Sequence, residues 1–462
     1  VNPIQAYHLL HQGTLALQEA EQAGIRVDMD YLTNKITELE TRIDNLDYEF
    51  RTSKFYQQWE SIQDKEPNPN STVQLSNFLY NVKGIRPPKL TPKEKGSVDK
   101  ETLASLNIPE LDMILESRKL KKIKDYLLGF EREQVDGWLH PSFNLHLVRT
   151  YRSSSDRPNF QNIPKRDKEA MEITRRALYP RSGHQLLEVD YGALEVRIAA
   201  CYHKDPTMIK YIKTGYDLHT DMTKQIFILD EYDDSIPGHT HLRGSVKNGF
   251  VFPQFYGDYW RNCAKYMACD WGELPSGRRW KAGDGVQVQD NTTLASHLGQ
   301  RGIASLTAFE EHVKEIEEDF WGRRFRHYAQ WKERWWREYQ KTGHIDMLTG
   351  FRCKGVMGRN DAINYPIQGS AFHCLLWSFI KVHEFLQRYQ WRTRIIGQIH
   401  DAIVLDVYPP ELPQLVKHIV TITTIDLPKA WDWIIVPLEV DFEVCDVDAS
   451  WADKKKLVLE EI

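Results

Sequence analysis

Two short apolar runs, more than two hundred residues apart, each carry an aspartate at one end. "LLEVD" runs from Leu186 to Val189 and closes on Asp190, and "HDAIVLDV" (400–407) opens on His400 and Asp401. Runs of Val, Ile and Leu this short read as buried β-strands. An ionised carboxylate at the mouth of such a strand is costly unless something pairs with it. If both strands join one sheet, the chain leaves that sheet and returns to it, so the sheet domain is discontinuous. Paired carboxylates on adjacent strands, with no basic partner in view, point to Mg²⁺, a hard cation that wants oxygen ligands. Two such ions about 3.5–4 Å apart suit in-line phosphoryl or nucleotidyl transfer. The plainer alternative is that each Asp is only a strand end or helix cap.

The 462 residues suffice for one large multi-lobed domain or for two to four smaller ones, and 41% hydrophobic content allows sizeable cores. Net charge is −5, so any nucleic-acid surface must be local rather than global. The six cysteines form no CxxC pair and no regular framework, which favours a reducing compartment. No apolar run reaches transmembrane length and no signal peptide is visible, so no membrane partner is expected.

Residues 3 to 60 read as helices, the second starting after Asp28. A further helix follows at "VQLSNFLYNV", and another at "IPELDMILESRKLKKIKDYLLGF" with a basic cluster around Lys121. Residues 138 to 190 read as strands and loops, and 191 to 345 as helical and irregular. Within the latter, Phe325, Tyr328, Trp331, Trp335 and Tyr339 recur at helical spacing and read as core. Strands return at 394 to 407 and 435 to 445, flanking a helix near 410 to 424.

Three more constellations matter. Arg243 and Lys247 lie four apart on one helical face that Val251 and Phe255 continue; they suit a triphosphate, with the aromatics meeting base or sugar. "RTYRSSSDRPNFQNIPKR" is rich in Arg and amides. Its Asn159, Gln161 and Asn162 can donate to minor-groove acceptors with little sequence preference. Asn364 and Gln368 sit four apart at the start of an apolar helix. Taken singly, each could be an ordinary amphipathic face, surface loop or satisfied core amide.

Together, in this order, the segments resemble DNA polymerase family A. "LLEVDYGALEVRIAA" resembles a first palm motif, DYSQIELR. "R…K…YG" at 243 to 257 resembles the fingers motif. "QIHDA" resembles the second palm motif, HDE. "TYRSSSDRPNFQNIP" resembles TGRLSSxxPNLQNIP, "NYPIQGSA" resembles NxPxQGTA, and "YDLHT" resembles DIHT. The resemblance spans essentially the whole chain. It implies that Asp190 and Asp401 hold two Mg²⁺ ions and that Glu195 excludes the ribose 2′-OH. It implies that Arg152, Asn159 and Gln161 follow the primer-template minor groove. Arg166, His219, Arg243 and Lys247 would bind the incoming dNTP, with Lys247 as general acid for pyrophosphate. Asn364, Gln368 and His400 would meet the DNA, and Lys121 a phosphate.

Four positions depart from the family pattern. Gly192-Ala193 replaces Ser-Gln, Ala402 replaces the third carboxylate, and Thr150-Tyr151 replaces Thr-Gly. The interval from Lys247 to Tyr256 is one residue too long. A regular helix would put Val251 and Phe255 on the nucleotide face. A π-type bulge or kink is expected instead between Gly249 and Phe255, where Pro253 removes a donor; it keeps the Tyr-Gly pair and puts Phe252 and Tyr256 on the nucleotide face.

The expected fold is α+β, a polymerase right hand with an antiparallel palm sheet, helical thumb and helical fingers. Residues 1–28 would form a palm base helix, 29–130 the thumb, 131–202 the first palm part, 203–345 the fingers and 346–462 the second palm part. The resemblance implies a template-directed DNA polymerase using primer-template DNA and dNTPs. A separate exonuclease or replisome proteins are candidate partners, since no exonuclease fits beside the polymerase. A viral source and a cytoplasmic site, host cytoplasm or organelle included, are expected. The competing readings are a single-subunit RNA polymerase relative and an inactive polymerase-like DNA-binding subunit.

Overall fold

The two aspartate-bearing runs meet in one sheet. The computed structural model describes residues 3–63, 65–87, 95–165, 167–268, 286–289 and 292–459. Five strands, β1 (Gln185–Tyr191), β2 (Arg394–Ile399), β3 (Ala402–Val407), β4 (Val440–Val444) and β5 (Lys455–Lys456), lie in the order β2-β3-β1-β4-β5. Every neighbouring pair is antiparallel. The register sets Asp190 opposite Ala402 on one side and Asp441 on the other. All six residues of β3 are buried, as its Val-Ile-Leu run demands. β2 and β3 are joined by the two-residue turn His400-Asp401, with His400 in the left-handed region at φ 50°.

The chain divides into two compact units. The first, Val1–Ile36, Asp125–Tyr216 and Phe325–Ile462, holds this sheet. Four of its helices matter here: α1 (Pro3–Ala23), α2 (Leu194–His203), α3 (Arg326–Thr342) and α4 (Arg359–Arg388). α1 packs on β2 and α4. α4 runs 30 residues with Pro366 inside it. Pro366 has no N–H to give the carbonyl of Ala362. Trp335 Nε1 of α3 takes that acceptor at 3.0 Å, so a side chain repairs the ladder and ties the two helices. Of the aromatic stripe expected as core, Phe325, just before α3, and Tyr328, Trp331 and Tyr339 on it are buried, while Trp335 is half-buried.

Three local expectations need correction. Ile25–Val27 is a strand within the expected helical region, pairing with Trp138–Leu139 and Leu178–Tyr179. Lys168–Arg176 is a helix within the expected strand and loop region, capped by Asp167, whose side chain accepts from the Ala170 N–H at 3.0 Å. The expected strand at 435 to 445 shrinks to Val440–Val444, since Pro437 cannot donate to a sheet ladder.

The second unit comprises Thr37–Lys124 and Asp217–Arg324. In the first segment, Phe50, Phe55, Tyr56, Trp59, Phe78 and Leu79 belong to one buried cluster. In the second, the helix Pro237–Val246 passes into a π-helical turn, Lys247–Val251, and then the short helix Phe252–Tyr256. Among the described residues, no helix is long and apolar enough to cross a membrane.

Candidate functional site

In the first unit the site forms around β1. Strand alternation puts Glu188 and Asp190 on one face. Lys165, from the loop after Asn162, reaches both: its Nζ lies 2.9 Å from Asp190 Oδ2 and 3.5 Å from Glu188 Oε1. The expectation of aspartates without a basic partner is therefore wrong. Lys165 stands in the "QNIPKR" stretch, but only tertiary folding brings it to a strand 25 residues further on.

Glu188 anchors the strand from beneath. It is 2% exposed and meets Arg175 Nη1 at 3.1 Å, Lys454 Nζ at 2.7 Å and Trp451 Nε1 at 3.3 Å. The Arg175 guanidinium stacks 4.4 Å from the Trp451 ring centre. Burial pushes the Glu188 carboxyl up, but the charges of Lys454 and Arg175 outweigh it and hold the group down at about 2. None of the motifs singled out Glu188; alternation from Asp190 was the signal that could have.

Asp401 follows the left-handed His400, which is exposed. The Asp401 carbonyl accepts from the Tyr191 N–H at 3.2 Å, fixing the turn beside the end of β1. Burial pushes its carboxyl up; Arg152 pulls it down, Asp190 pushes it up and Lys165 pulls it down, with a net rise. A carboxyl whose proton affinity is raised by a neighbouring carboxylate forms, with that neighbour, a site that gains from a cation. Among the described residues, no group of three or more His, Cys, Asp or Glu side chains could hold a metal.

The other predicted residues of this unit gather nearby. The Arg152 guanidinium pairs with Glu195, in the first turn of α2, and its Nε donates to the Gln368 carbonyl at 3.4 Å. The residue after Gln368 must be small: a Cβ on Gly369 would lie 2.3 Å from the Thr150 carbonyl oxygen. Gln161 Nε2 donates to Ser153 Oγ and to Gln398 Oε1, both at 2.6 Å. Asn159 is exposed and its side chain caps the turn Phe160–Asn162. Asn364 and Gln368 are half-buried on α4. Arg166 lies outside the described residues.

The second unit carries a cationic cluster of its own. Arg243 is held by Asp217, its Nη2 at 2.7 Å from Oδ2, and its Nε meets Thr220 Oγ1 at 3.1 Å. Lys247 Nζ lies 5.5 Å from the Phe252 ring centre, and the His219 ring lies 5.6 Å from the same ring. Burial, then the charges of Lys247 and Arg243, push the His219 imidazole down to about 4. His219 Nδ1 is buried with no hydrogen-bond partner among the described residues.

The extra residue between Lys247 and Tyr256 is absorbed in the π turn, where the Phe252 N–H bonds the Lys247 carbonyl five residues back. The turn begins at Lys247, two residues before the expected stretch. Phe252 therefore sits beside Lys247, while Val251 and Phe255 are buried, Phe255 against Phe320 and Trp321. Tyr256 is 45% exposed. Lys121 stands apart in the first segment of this unit, 2.8 Å from Asp47.

The family model described as DNA polymerase family A matches residues 34–271 and 307–453. DNA polymerase I of Aquifex aeolicus (strain VF5) is 27% identical over 391 residues, 83% of this chain and 57% of that protein. DNA polymerase I of Lactococcus lactis subsp. cremoris (strain MG1363) is 28% identical over 442 residues, 94% of this chain and 45% of that protein. The chain thus spans about half the length of the curated relatives it matches. The solved structure titled "POL domain of Pol1 from M. smegmatis complex with DNA primer-template and dNTP" shares the fold, with a TM-score of 0.72 at 24% identity, covering 96% of this chain and 70% of that one.

Proposed function

Because this chain belongs to DNA polymerase family A, we propose that it is a template-directed DNA polymerase that adds dNTPs to a primer 3′-OH and releases pyrophosphate. The observation that carries the reading is that Asp190 faces Ala402 across the β1–β3 register, one residue from Asp401, whose carboxyl is held up by burial and by the charge of Asp190. These two carboxylates would hold two Mg²⁺ ions, which when bound supply charge neutralisation on phosphate oxygens and acidify the primer hydroxyl.

The remaining roles fall to the chain's own side chains. Arg243, Lys247, His219 and Arg166 bind the triphosphate. His219 Nδ1, without a partner among the described residues, and the low proton affinity of its ring fit a neutral hydrogen-bonding group. Lys247 protonates the departing pyrophosphate. Phe252 and Tyr256 meet the base. Glu195, steadied by Arg152, closes the space a 2′-OH would need. Asn159, Gln161 and Arg152 follow the minor groove; Asn364, Gln368 and His400 meet the template side; Lys121 exchanges Asp47 for a phosphate.

A second reading, an inactive DNA-binding relative, draws on Ala402 and on the Lys165–Asp190 pair. One experiment decides. Primer extension with Mg²⁺ and dNTPs should proceed with the wild-type chain and stop in Asp190→Ala and Asp401→Ala, while both variants still bind primer-template. No extension by the wild type, or near-normal extension by either variant, overturns the proposal.

A further inference from the structure

Lys165 is shared between two carboxylates of β1. Its Nζ lies 2.9 Å from Asp190 Oδ2 and 3.5 Å from Glu188 Oε1. The two carboxylates differ in what else they have. Glu188 Oε2 takes Arg175, Lys454 and Trp451, at 3.1, 2.7 and 3.3 Å. Among the described residues, Lys165, at its long 3.5 Å, is the one donor to Glu188 Oε1. That oxygen belongs to a side chain 2% exposed, where a donor at normal hydrogen-bond distance is worth most. Asp190 and Lys165 are 36% and 40% exposed, so the ammonium can pass from one oxygen to the other without opening the core.

We propose that Lys165 is a positioning residue with two resting places: it holds Asp190 Oδ2 until a divalent cation claims that oxygen, and then moves onto Glu188 Oε1. The proposal rests on the polymerase reading above, which makes Asp190 a metal ligand. An ammonium and a divalent cation repel each other, so they do not share one carboxylate oxygen at contact distance. Glu188 Oε1 is the acceptor already within reach, on the same face of the strand. Glu188 itself stays put, because Arg175 and Lys454 hold its other oxygen. Lys165 thereby sets how much divalent metal the site needs before it fills.

Mn²⁺, which carboxylates also take, is the probe. Electron paramagnetic resonance counts free Mn²⁺ during titration of the full chain without DNA or nucleotide, for the wild type, Lys165→Met, Asp190→Asn and the double variant. Lys165→Met should bind Mn²⁺ about fivefold more tightly, the factor equivalent to about 1 kcal/mol for an ion pair this exposed. The double variant should show no such gain over Asp190→Asn. Loss of a merely structural lysine would not tighten binding. Unchanged or weaker Mn²⁺ affinity in Lys165→Met, or a gain that survives Asp190→Asn, overturns the proposal. Weaker primer-template binding in EDTA with unchanged Mn²⁺ affinity would make Lys165 a phosphate contact, and overturns it too. If Lys165→Met does not fold, as read by thermal melting, Lys165→Gln takes its place with the same expected gain. Primer extension by the wild type is scored separately. Its absence sinks the polymerase reading, and its presence with unchanged Mn²⁺ affinity in the variant sinks the role of Lys165 alone.

Discussion

Glu188→Gln is the sharpest test of how the sheet holds its charge. The side chain is 2% exposed and pairs with the buried Arg175 and the half-buried Lys454. Its carboxyl is held at about 2 against an ordinary 4.5. That shift corresponds to about 3 kcal/mol of folding stability at neutral pH, at the low end of the roughly 3–5 kcal/mol lost when a buried pair is broken. The sign follows from a depressed acid: the contribution is complete above the unfolded pKa and drains away as pH falls towards the folded one. Chemical denaturation in metal-free buffer should show the variant about 3 kcal/mol less stable at pH 7 and nearly as much so at pH 5. By pH 3.5 the gap should narrow to about 2 kcal/mol. Equal stability at pH 7, or a gap that stays constant to pH 3.5, would refute the reasoning.

Two further outcomes can be checked. Glu195→Ala should raise ribonucleotide incorporation, read as the rNTP/dNTP ratio of kcat/KM, and an unchanged ratio would count against the gate. Gly249→Ala would put a Cβ 2.4 Å from Tyr266 Cδ1 and 2.9 Å from Met267 Cγ; denaturation should show a loss of about 1–3 kcal/mol from overpacking, and a neutral result would mean the π turn yields more easily than its packing implies.

The strands carrying Asp190 and Asp401 were legible because their apolar runs have strand length and composition. The π turn was legible because one residue too many and Pro253 fall in the same stretch. Ile25–Val27 was not: three residues show no period, and only its partners at Trp138–Leu139 and Leu178–Tyr179 make it a strand. The pairs Lys165–Asp190 and Arg152–Glu195 were invisible for a related reason. Each joins residues 25 or 43 apart, and no local rule links their side chains. The Glu188 cluster draws on Arg175, Trp451 and Lys454, which only the finished sheet brings together.

That β1 sits between strands arriving much later has a consequence for synthesis. At about 5–20 residues per second, the ribosome needs roughly 10–40 s after making Asp190 to reach Asp401, and longer to reach β4. Throughout that interval β1 is an apolar strand with both edges open, the kind of segment that invites mispairing between nascent chains. Glu188 and Asp190 sit on one face of that run, where paired copies would oppose like charges and repel. Two carboxylates at these positions suit a gatekeeper's part in the growing chain, before Lys454 and the late strands close over Glu188.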